Sequence, residues 1–275
     1  QAGSNARPIE MSKRADTRYL RDVAYANPSG LAARASLYDF QQPYIDLRAE
    51  ALAVLGPLDG RVVGDIGCGD GRYVDALRGA GANVLGIDLS VGMLAGVPAP
   101  PALVAADAQA LPLNDASLDV VMMMHMLYHV PDPAIAVREA ARILRPGGKL
   151  LVATNGRRHL AEMNELWLPL LDRTGQRAPL DDAGLVNPRV SVDDARRFVR
   201  MQFQAPDVRW LRSSVVVTDP GPVVRHAAST TAAQAVGELA DQLLGELADA
   251  ITTQITRDGQ FRITTEVALL TATKP

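Results

Sequence analysis

Short apolar runs alternate with amphipathic segments between residues 60 and 154 of this 275-residue chain. The runs predict strands buried on both faces, and the segments between them carry apolar residues at helical spacing. The five predicted strands cover 62–66, 84–88, 102–106, 120–124 and 150–154. Strands that alternate with helices predict an α/β fold, in which helices cover both faces of a doubly wound, mainly parallel sheet.

Glycines and acidic residues concentrate at the ends of these strands. The first strand leads into DIGCGDG at 65–71, where glycine at every second position permits positive φ and lets a ligand approach the backbone closely. Asp88 ends the second strand and Asp107 follows the third. An acid at the end of the second strand typically binds ribose hydroxyls, so this pattern predicts a nucleotide site at the carboxyl edge of the sheet.

Five segments carry a resemblance to a known family. They are DIGCGDG (65–71), GIDLSVGML (86–94), ADAQALPL (106–113), LDVVMMMHMLYHV (118–130) and ILRPGGKLLV (143–152). In this order and spacing they resemble class I S-adenosylmethionine-dependent methyltransferases, closest to the branch that includes ubiquinone and menaquinone methyltransferases and natural-product tailoring enzymes. The resemblance covers about residues 61 to 155. It implies a Rossmann-like methyltransferase fold with seven strands, the last of them antiparallel between strands five and six.

The same resemblance implies a set of residues that bind S-adenosylmethionine and its product S-adenosylhomocysteine. The glycine turn would hold the methionine part, strand two the ribose, strand three the adenine, and strand four the sulfonium side. The implied residues are Asp65, Gly67, Cys68, Gly69, Asp88, Leu89, Met93, Asp107, Ala108, Met123 and Met124. Each residue also fits an ordinary loop or core position, and a methionine pair usually packs a core.

Three residues after strand four are candidates for a general base, namely His125, Tyr128 and His129. His125 and His129 are four positions apart and would share one helix face if a helix has begun there. Two such histidines could bind a metal ion, but no glutamate follows His125 as in the metalloprotease pattern. We therefore expect no metal.

The segments outside the five strands divide the chain. Residues 1–6 look like the remnant of an expression tag, and residues 7–58 predict a helical lid that precedes a methyltransferase domain at 59–275. Within that domain, residues 155–206 predict a helical insertion after strand five, with an N-cap at Ser191. Strand six is expected at 207–218, a long helix at 231–256 and the last strand at 261–273.

The lid and the insertion are expected to enclose an acceptor substrate over the carboxyl ends of strands four and five. Their aromatic and polar side chains could form a small-molecule pocket, or could simply pack the helices onto the sheet. The candidate acceptor-binding residues are Tyr25, Tyr38, His159, Met163 and Trp167, with Tyr44 nearby, and the candidate lid contacts also include Tyr19 and Arg34.

Charge and cysteine content narrow the classes of partner. The net charge of −3 gives no basic footprint for nucleic acid, and aspartates are interspersed among the arginines of 189–212. No apolar run is long enough to span a bilayer, and the single cysteine, Cys68, excludes an internal disulfide, which suits the cytoplasm. We expect a monomer or homodimer that binds a small molecule and neither nucleic acid nor membrane.

The sequence favours a methyltransferase that acts on an oxygen, nitrogen or carbon of a small molecule in bacterial secondary metabolism. An rRNA or tRNA methyltransferase is an alternative, although no added RNA-binding module is visible. An NAD-dependent oxidoreductase would require Gly-x-Gly-x-x-Gly, whereas the third glycine here is Gly71. A non-catalytic module that binds the cofactor is a further alternative.

Overall fold

One eight-stranded sheet organises the protein. The computed structural model describes residues 29–97, 102–175, 190–230, 233 and 236–275. The strands are β1 (Gln41–Gln42), β2 (Val62–Ile66), β3 (Asn83–Asp88), β4 (Ala102–Ala105), β5 (Leu118–Met124), β6 (Leu144–Asn155), β7 (Asp207–Val217) and β8 (Phe261–Thr273). They lie in the order β1-β7-β8-β6-β5-β2-β3-β4.

The sheet confirms the predicted architecture. Strands β2 to β6 pair in parallel, and β8 lies antiparallel between β6 and β7. The predicted number of seven strands is wrong by one, because Gln41 and Gln42 pair with the edge of β7. A strand of two glutamines has no hydrophobic alternation, so its pairing with β7 could not be anticipated from periodicity.

Helices lie on both faces of the sheet. They are α1 (Ser29–Ala35), α2 (Leu47–Leu55), α3 (Val74–Gly79), α4 (Val91–Leu94), α5 (Pro133–Ile143), α6 (Ala161–Arg173), α7 (Val192–Arg200), α8 (Gly221–Ala228) and α9 (Ala240–Asp258). Helices α2 and α3 pack with Val63 and Met122 on one face, and α5 and α7 pack with Val121 and Met123 on the other. This arrangement is the doubly wound fold.

The described part of the leading segment is less helical than expected. After α1, a short 3₁₀ turn spans Ser36–Phe40, β1 follows, and helix begins again only at α2. Asp46 caps α2 by accepting hydrogen bonds from the backbone N–H groups of Arg48 and Ala49. Asp46 therefore fixes the start of α2, so residues 41–46 of the predicted helical lid are not helical. Residues 7–28 of the predicted lid lie outside the described residues.

The second half of the chain forms an accessory core at one end of the sheet. Helices α6, α8 and α9 pack against the ends of β7 and β8 around Trp167, Leu247 and Phe261. The capping box predicted at Ser191 is present, with Asp194 as its partner, and α7 begins there. Helix α8 was not predicted, and within the described residues α9 begins at Ala240 rather than near 231. No helix in the described ranges is long and apolar enough to cross a membrane.

Candidate functional site

A cavity of about 980 Å³ opens at the carboxyl ends of the parallel strands. Its floor consists of the residues that follow β2, β3, β4, β5 and β6, and its opposite wall comes from the leading segment, α6 and α8. Ligands in open α/β sheets bind at this edge. The cavity therefore lies where the sequence predicts both the nucleotide and the acceptor.

The glycine turn after β2 forms one side of this cavity. Gly67 and Gly69 have φ values of 72° and 57°, in the left-handed region that glycine adopts without steric cost. A Cβ at Gly67 would lie 2.8 Å from the Cβ of Met126, so the close approach of these two backbones also requires glycine. The N–H groups of Gly67 and Cys68 both donate to the carbonyl of Ile87, which fastens the turn to β3.

Asp88 completes the turn. One of its carboxylate oxygens accepts from the N–H of Gly69 and the other from the N–H of Ser90, each at 2.8 Å. Burial raises the pKa of this carboxyl above its usual range. Each oxygen has further lone pairs, so Asp88 can hold the turn and accept hydrogen bonds from a ligand.

Further predicted cofactor residues surround the same region. Asp107 is oriented locally, because its Oδ1 accepts from the N–H of Gln109 at 2.8 Å. The cavity is also lined by Cys68, Leu89, Met93, Ala108 and Met124. Burial raises the pKa of the Cys68 thiol, so it stays protonated and is a poor nucleophile.

Met123 and Asp65 are not lining residues of this cavity. Met123 is fully buried in the core between β5 and α5, because side chains alternate along a strand and Met124 takes the cavity side. Asp65 lies beneath the turn and is 1% exposed. Within the described ranges, neither of its carboxylate oxygens has a hydrogen-bond partner. Burial, and then the negative charges of Asp88 and Asp70, raise the pKa of Asp65 to about 7.

All four histidines of the chain line this one cavity. His125 ends β5 in the left-handed conformation with φ of 54°, which is uncommon for a residue with a side chain. Burial lowers the pKa of His125 to about 4, so it is neutral at physiological pH. His129 lies one short turn later, where its ring meets the Tyr128 ring at a centroid distance of 4.5 Å.

The expectation that His125 and His129 share one helix face is wrong. The 3₁₀ turn at Leu127–His129 begins after His125, whose backbone is left-handed. Among the described residues, no group of three histidine, cysteine, aspartate or glutamate side chains could hold a metal ion.

A second group of polar rings lies on the opposite wall. The Tyr38 hydroxyl and the Nε2 atom of His159 are 2.9 Å apart, and Nδ1 of His159 accepts from the N–H of Glu266 at 3.2 Å. His226 meets the Tyr38 ring edge to face, with centroids 6.3 Å apart. His226 was not among the predicted residues, since its helix α8 went unrecognised in the sequence.

The other predicted acceptor residues take different positions. Met163 and Trp167 are 4% and 3% exposed in the accessory core, and both also border the cavity. Tyr44 is exposed near the cavity mouth, and Arg34 donates to the carbonyl of Ser229 at 3.0 Å. Tyr19 and Tyr25 lie outside the described residues, so the structure does not place them.

Comparison with protein families covers the side of the cavity that carries the glycine turn (the cofactor wall) but not the opposite wall (the acceptor wall). Residues 64–152 match the family described as a methyltransferase domain. The match includes the glycine turn, Asp88, Asp107 and His125, but it excludes Tyr38, His159 and His226. A ubiquinone biosynthesis O-methyltransferase from Ralstonia nicotianae is 42% identical over 117 residues, which cover 39% of this chain and 49% of that protein. The chain spans about half the length of the curated relatives it matches.

Solved structures share the fold across most of the chain. A protein from Bacillus halodurans, described as a methyltransferase by inference, superposes with a TM-score of 0.60 and 18% identity over 83% of this chain and 99% of that one. A protein from Anabaena variabilis, described by inference as a methyltransferase from an antibiotic biosynthesis pathway, superposes with a TM-score of 0.59 and 17% identity over 82% of this chain and 96% of that one. At these identities the superpositions show the fold alone.

Proposed function

We propose that this protein transfers a methyl group from S-adenosylmethionine to a small-molecule acceptor, starting from the match of residues 64–152 to the family described as a methyltransferase domain. The observation that carries the proposal is the single cavity of about 980 Å³ in which the glycine turn and Asp88 face the ring cluster of Tyr38, His159 and His226. A cavity of that volume is large enough for a cofactor and a small acceptor together.

The residues at the glycine turn fit this cofactor. Asp65 is a buried carboxylate without a hydrogen-bond partner among the described residues, which is a costly arrangement unless a positive charge approaches it. The ammonium group of the methionine part would supply such a charge. Asp88 would accept from the ribose hydroxyls, while Asp107 and Ala108 would contact the adenine, with Leu89 and Met93 beside its ring.

The protein's own part in the reaction is alignment and exclusion of water. When bound, S-adenosylmethionine supplies an electrophilic methyl carbon, so the cofactor carries the difficult chemistry. The turn would hold the methionine part, Met124 at the end of β5 would contact the sulfonium side, and the opposite wall would orient the acceptor's nucleophile toward it. Alignment of this kind can account for several kcal/mol of the barrier, on the order of 7–11 kcal/mol in the best intramolecular cases.

The proton of the acceptor requires a base only if the nucleophile is a poorly acidic hydroxyl or a protonated amine. His125 is the candidate best supported by position, because it ends β5 at the cavity floor and is neutral. Tyr128 and His129 also line the cavity and remain alternatives. Tyr38, His159, Met163 and Trp167 would contact the acceptor from the opposite wall.

Three rival functions make different predictions about binding. An RNA methyltransferase would bind RNA tightly with a steep dependence on salt, an oxidoreductase would bind NAD, and a non-catalytic module would bind the cofactor without turnover. The net charge of −3 does not support tight RNA binding, and the spacing of Gly67, Gly69 and Gly71 does not support NAD binding. We propose bacterial secondary metabolism as the setting, which an arginine-rich composition with only three lysines supports. We propose a monomer or homodimer as the assembly.

Calorimetry with S-adenosylhomocysteine, NAD and a short RNA, followed by a methyl-transfer assay on a panel of small hydroxy, amino and carbon acceptors, tests the proposal. We expect a heat of binding with S-adenosylhomocysteine but not with NAD or RNA. We also expect methylated product from at least one acceptor. Binding of NAD without heat from S-adenosylhomocysteine would refute it. His159→Ala should alter turnover of that acceptor while the affinity for S-adenosylhomocysteine stays nearly unchanged.

A further inference from the structure

The hydrogen bonds of His159 determine where its proton lies. The backbone N–H of Glu266 can only donate, so Nδ1 of His159, 3.2 Å away, must be the acceptor. In a neutral imidazole the proton is then on Nε2, which is 2.9 Å from the Tyr38 hydroxyl. Nε2–H therefore donates to the Tyr38 oxygen. The hydrogen of the Tyr38 hydroxyl has no other partner among the described residues, and Tyr38 lines the cavity.

The opposite arrangement holds for His226. Its Nδ1 is 3.2 Å from the backbone carbonyl of Arg34, which can only accept, so the proton of this imidazole is on Nδ1. Nε2 is then an acceptor, and no partner for it occurs in the part of the chain that the structure describes. The ring is 5% exposed and lines the cavity beside Tyr38.

Burial keeps both rings neutral and the phenol protonated. Burial lowers the pKa of His159 to about 3 and that of His226 to about 4, and it raises the pKa of Tyr38 to about 12. The wall therefore presents one donor and one acceptor with no formal charge on either. The rings of Tyr38 and His226 are in edge-to-face contact, with their centroids 6.3 Å apart, and both rings line the cavity. One ligand can therefore contact both side chains.

We propose that Tyr38 and His226 form a subsite for an uncharged hydroxyl group of the acceptor molecule, with Tyr38 donating to the hydroxyl oxygen and Nε2 of His226 accepting its hydrogen. A hydroxyl matches this pattern because one oxygen both accepts and donates. A carboxylate or a ketone lacks the hydrogen, and an ammonium group lacks the lone pair. His159 is a positioning residue that orients Tyr38. The inference rests on the proposed function for the identity of the cofactor that shares the cavity.

The first test uses the free protein. Long-range ¹⁵N–¹H NMR of the histidine rings reports which nitrogen is protonated. We expect His159 protonated on Nε2 and His226 on Nδ1, both unchanged from about pH 6 to about pH 8. The reverse tautomer in either ring, or titration within that range, would overturn the subsite whatever reaction the protein performs.

The second test compares matched probes in the presence of S-adenosylhomocysteine. Phenol carries the hydroxyl, anisole has the same ring with the hydroxyl capped, and benzylamine carries an ammonium group. Calorimetry or ligand-detected NMR should show phenol binding about threefold to tenfold more tightly than anisole, as one or two hydrogen bonds predict, with benzylamine weaker still. Equal binding of phenol and anisole would refute the subsite, and the Tyr38–His159 hydrogen bond would then serve only to join the leading segment to the rest of the fold.

Two variants assign the preference to single atoms. Tyr38→Phe removes the donor, and His226→Asn keeps a donor toward the Arg34 carbonyl while removing the acceptor nitrogen. Each should abolish most of the preference for phenol over anisole and leave the affinity for S-adenosylhomocysteine unchanged, and His226→Gln should restore part of it. A preference that survives both substitutions would refute the subsite. Absence of S-adenosylhomocysteine binding in the unsubstituted protein would instead refute the proposed function.

Discussion

The two walls of the cavity are built in different ways. On the cofactor side, Asp88 bonds to Ser90 and Asp107 to Gln109, each two positions away, and Asp88 also bonds to Gly69, 19 positions away. On the acceptor side, Tyr38 bonds to a residue 121 positions away and His226 to one 192 positions away. The cofactor wall is therefore specified by local sequence, whereas the acceptor wall exists only once distant segments have packed.

The two walls also differ in charge. Carboxylates of Asp65, Asp88 and Asp107 surround the glycine turn, which suits a cofactor with an ammonium group and ribose hydroxyls. The opposite wall presents imidazoles and a phenol that burial keeps neutral, with the positive guanidinium of Arg34 beside them. Substitutions on one wall should therefore affect cofactor affinity and those on the other acceptor affinity, with stability as a third, separable effect.

The largest effect should be on stability. Trp167→Ala removes a side chain that is 3% exposed in the accessory core, and such truncations typically cost about 3–5 kcal/mol of unfolding free energy. Chemical denaturation measures the loss, and Glu165→Ala on the exposed face of the same helix should change little. If the folded Trp167 variant keeps its affinity for the acceptor, Trp167 is a packing residue rather than a binding residue.

The next largest effect should be on cofactor affinity. Gly67→Ala forces a side chain into a left-handed backbone and against Met126, so the turn must move. Losing two or more hydrogen bonds to the cofactor would weaken S-adenosylhomocysteine binding by about a hundredfold in calorimetry. Gly79→Ala is the matched control, since a Cβ there meets nothing within 4 Å. Equal affinities of the two variants would contradict the assignment of the turn.

Asp88→Ala should weaken S-adenosylhomocysteine binding by about tenfold or more, because it deletes charge-assisted hydrogen bonds to ribose and the bond that holds Gly69. Calorimetry checks this, with Asp75→Asn, an exposed acid on α3, as the control for loss of negative charge. Unchanged affinity would mean that Asp88, at the end of β3, does not bind the ribose.

The smallest effect is a dependence on pH. Because the pKa of Asp65 is raised to about 7, its carboxyl is mostly ionised at pH 8 and protonated at pH 5.5. The ionised form attracts the ammonium group, so S-adenosylhomocysteine should bind about threefold to fivefold more tightly at the higher pH. The same raised pKa stabilises the fold most at low pH, a contribution that is lost as pH rises through about 7.

Asp65→Asn separates these contributions in the same calorimetric series. The variant should have a flatter dependence of affinity on pH, and its stability relative to the unsubstituted protein should improve as pH rises. A pH dependence identical in the two proteins would assign it to another group and leave Asp65 without a role at the ammonium site.

Sequence predicted more of the cofactor wall than of the fold around it. Each of the five strands is present, because continuous apolar runs are required where a sheet is buried on both faces, although β6 begins at Leu144, six residues before its predicted start. Met123 shows the limit of such reasoning, since only the register of β5 decides which methionine faces the cavity. The helical spacing of the buried residues Val223, His226 and Ala227 was a signal for α8. The two-residue strand β1 lacked any periodic signal.

The chain by itself determined the turn, its acids and the positions of the five parallel strands along the chain, because glycine conformations, apolar runs and hydrogen bonds between near neighbours follow from local sequence. Only the tertiary structure decided that all four histidines line one cavity, and that Tyr38, His159 and His226 meet there. Their proton positions depend on backbone groups of Glu266 and Arg34, which packing of distant elements brings within hydrogen-bond distance. The neutral state of His125, His159 and His226 follows from burial in the folded protein.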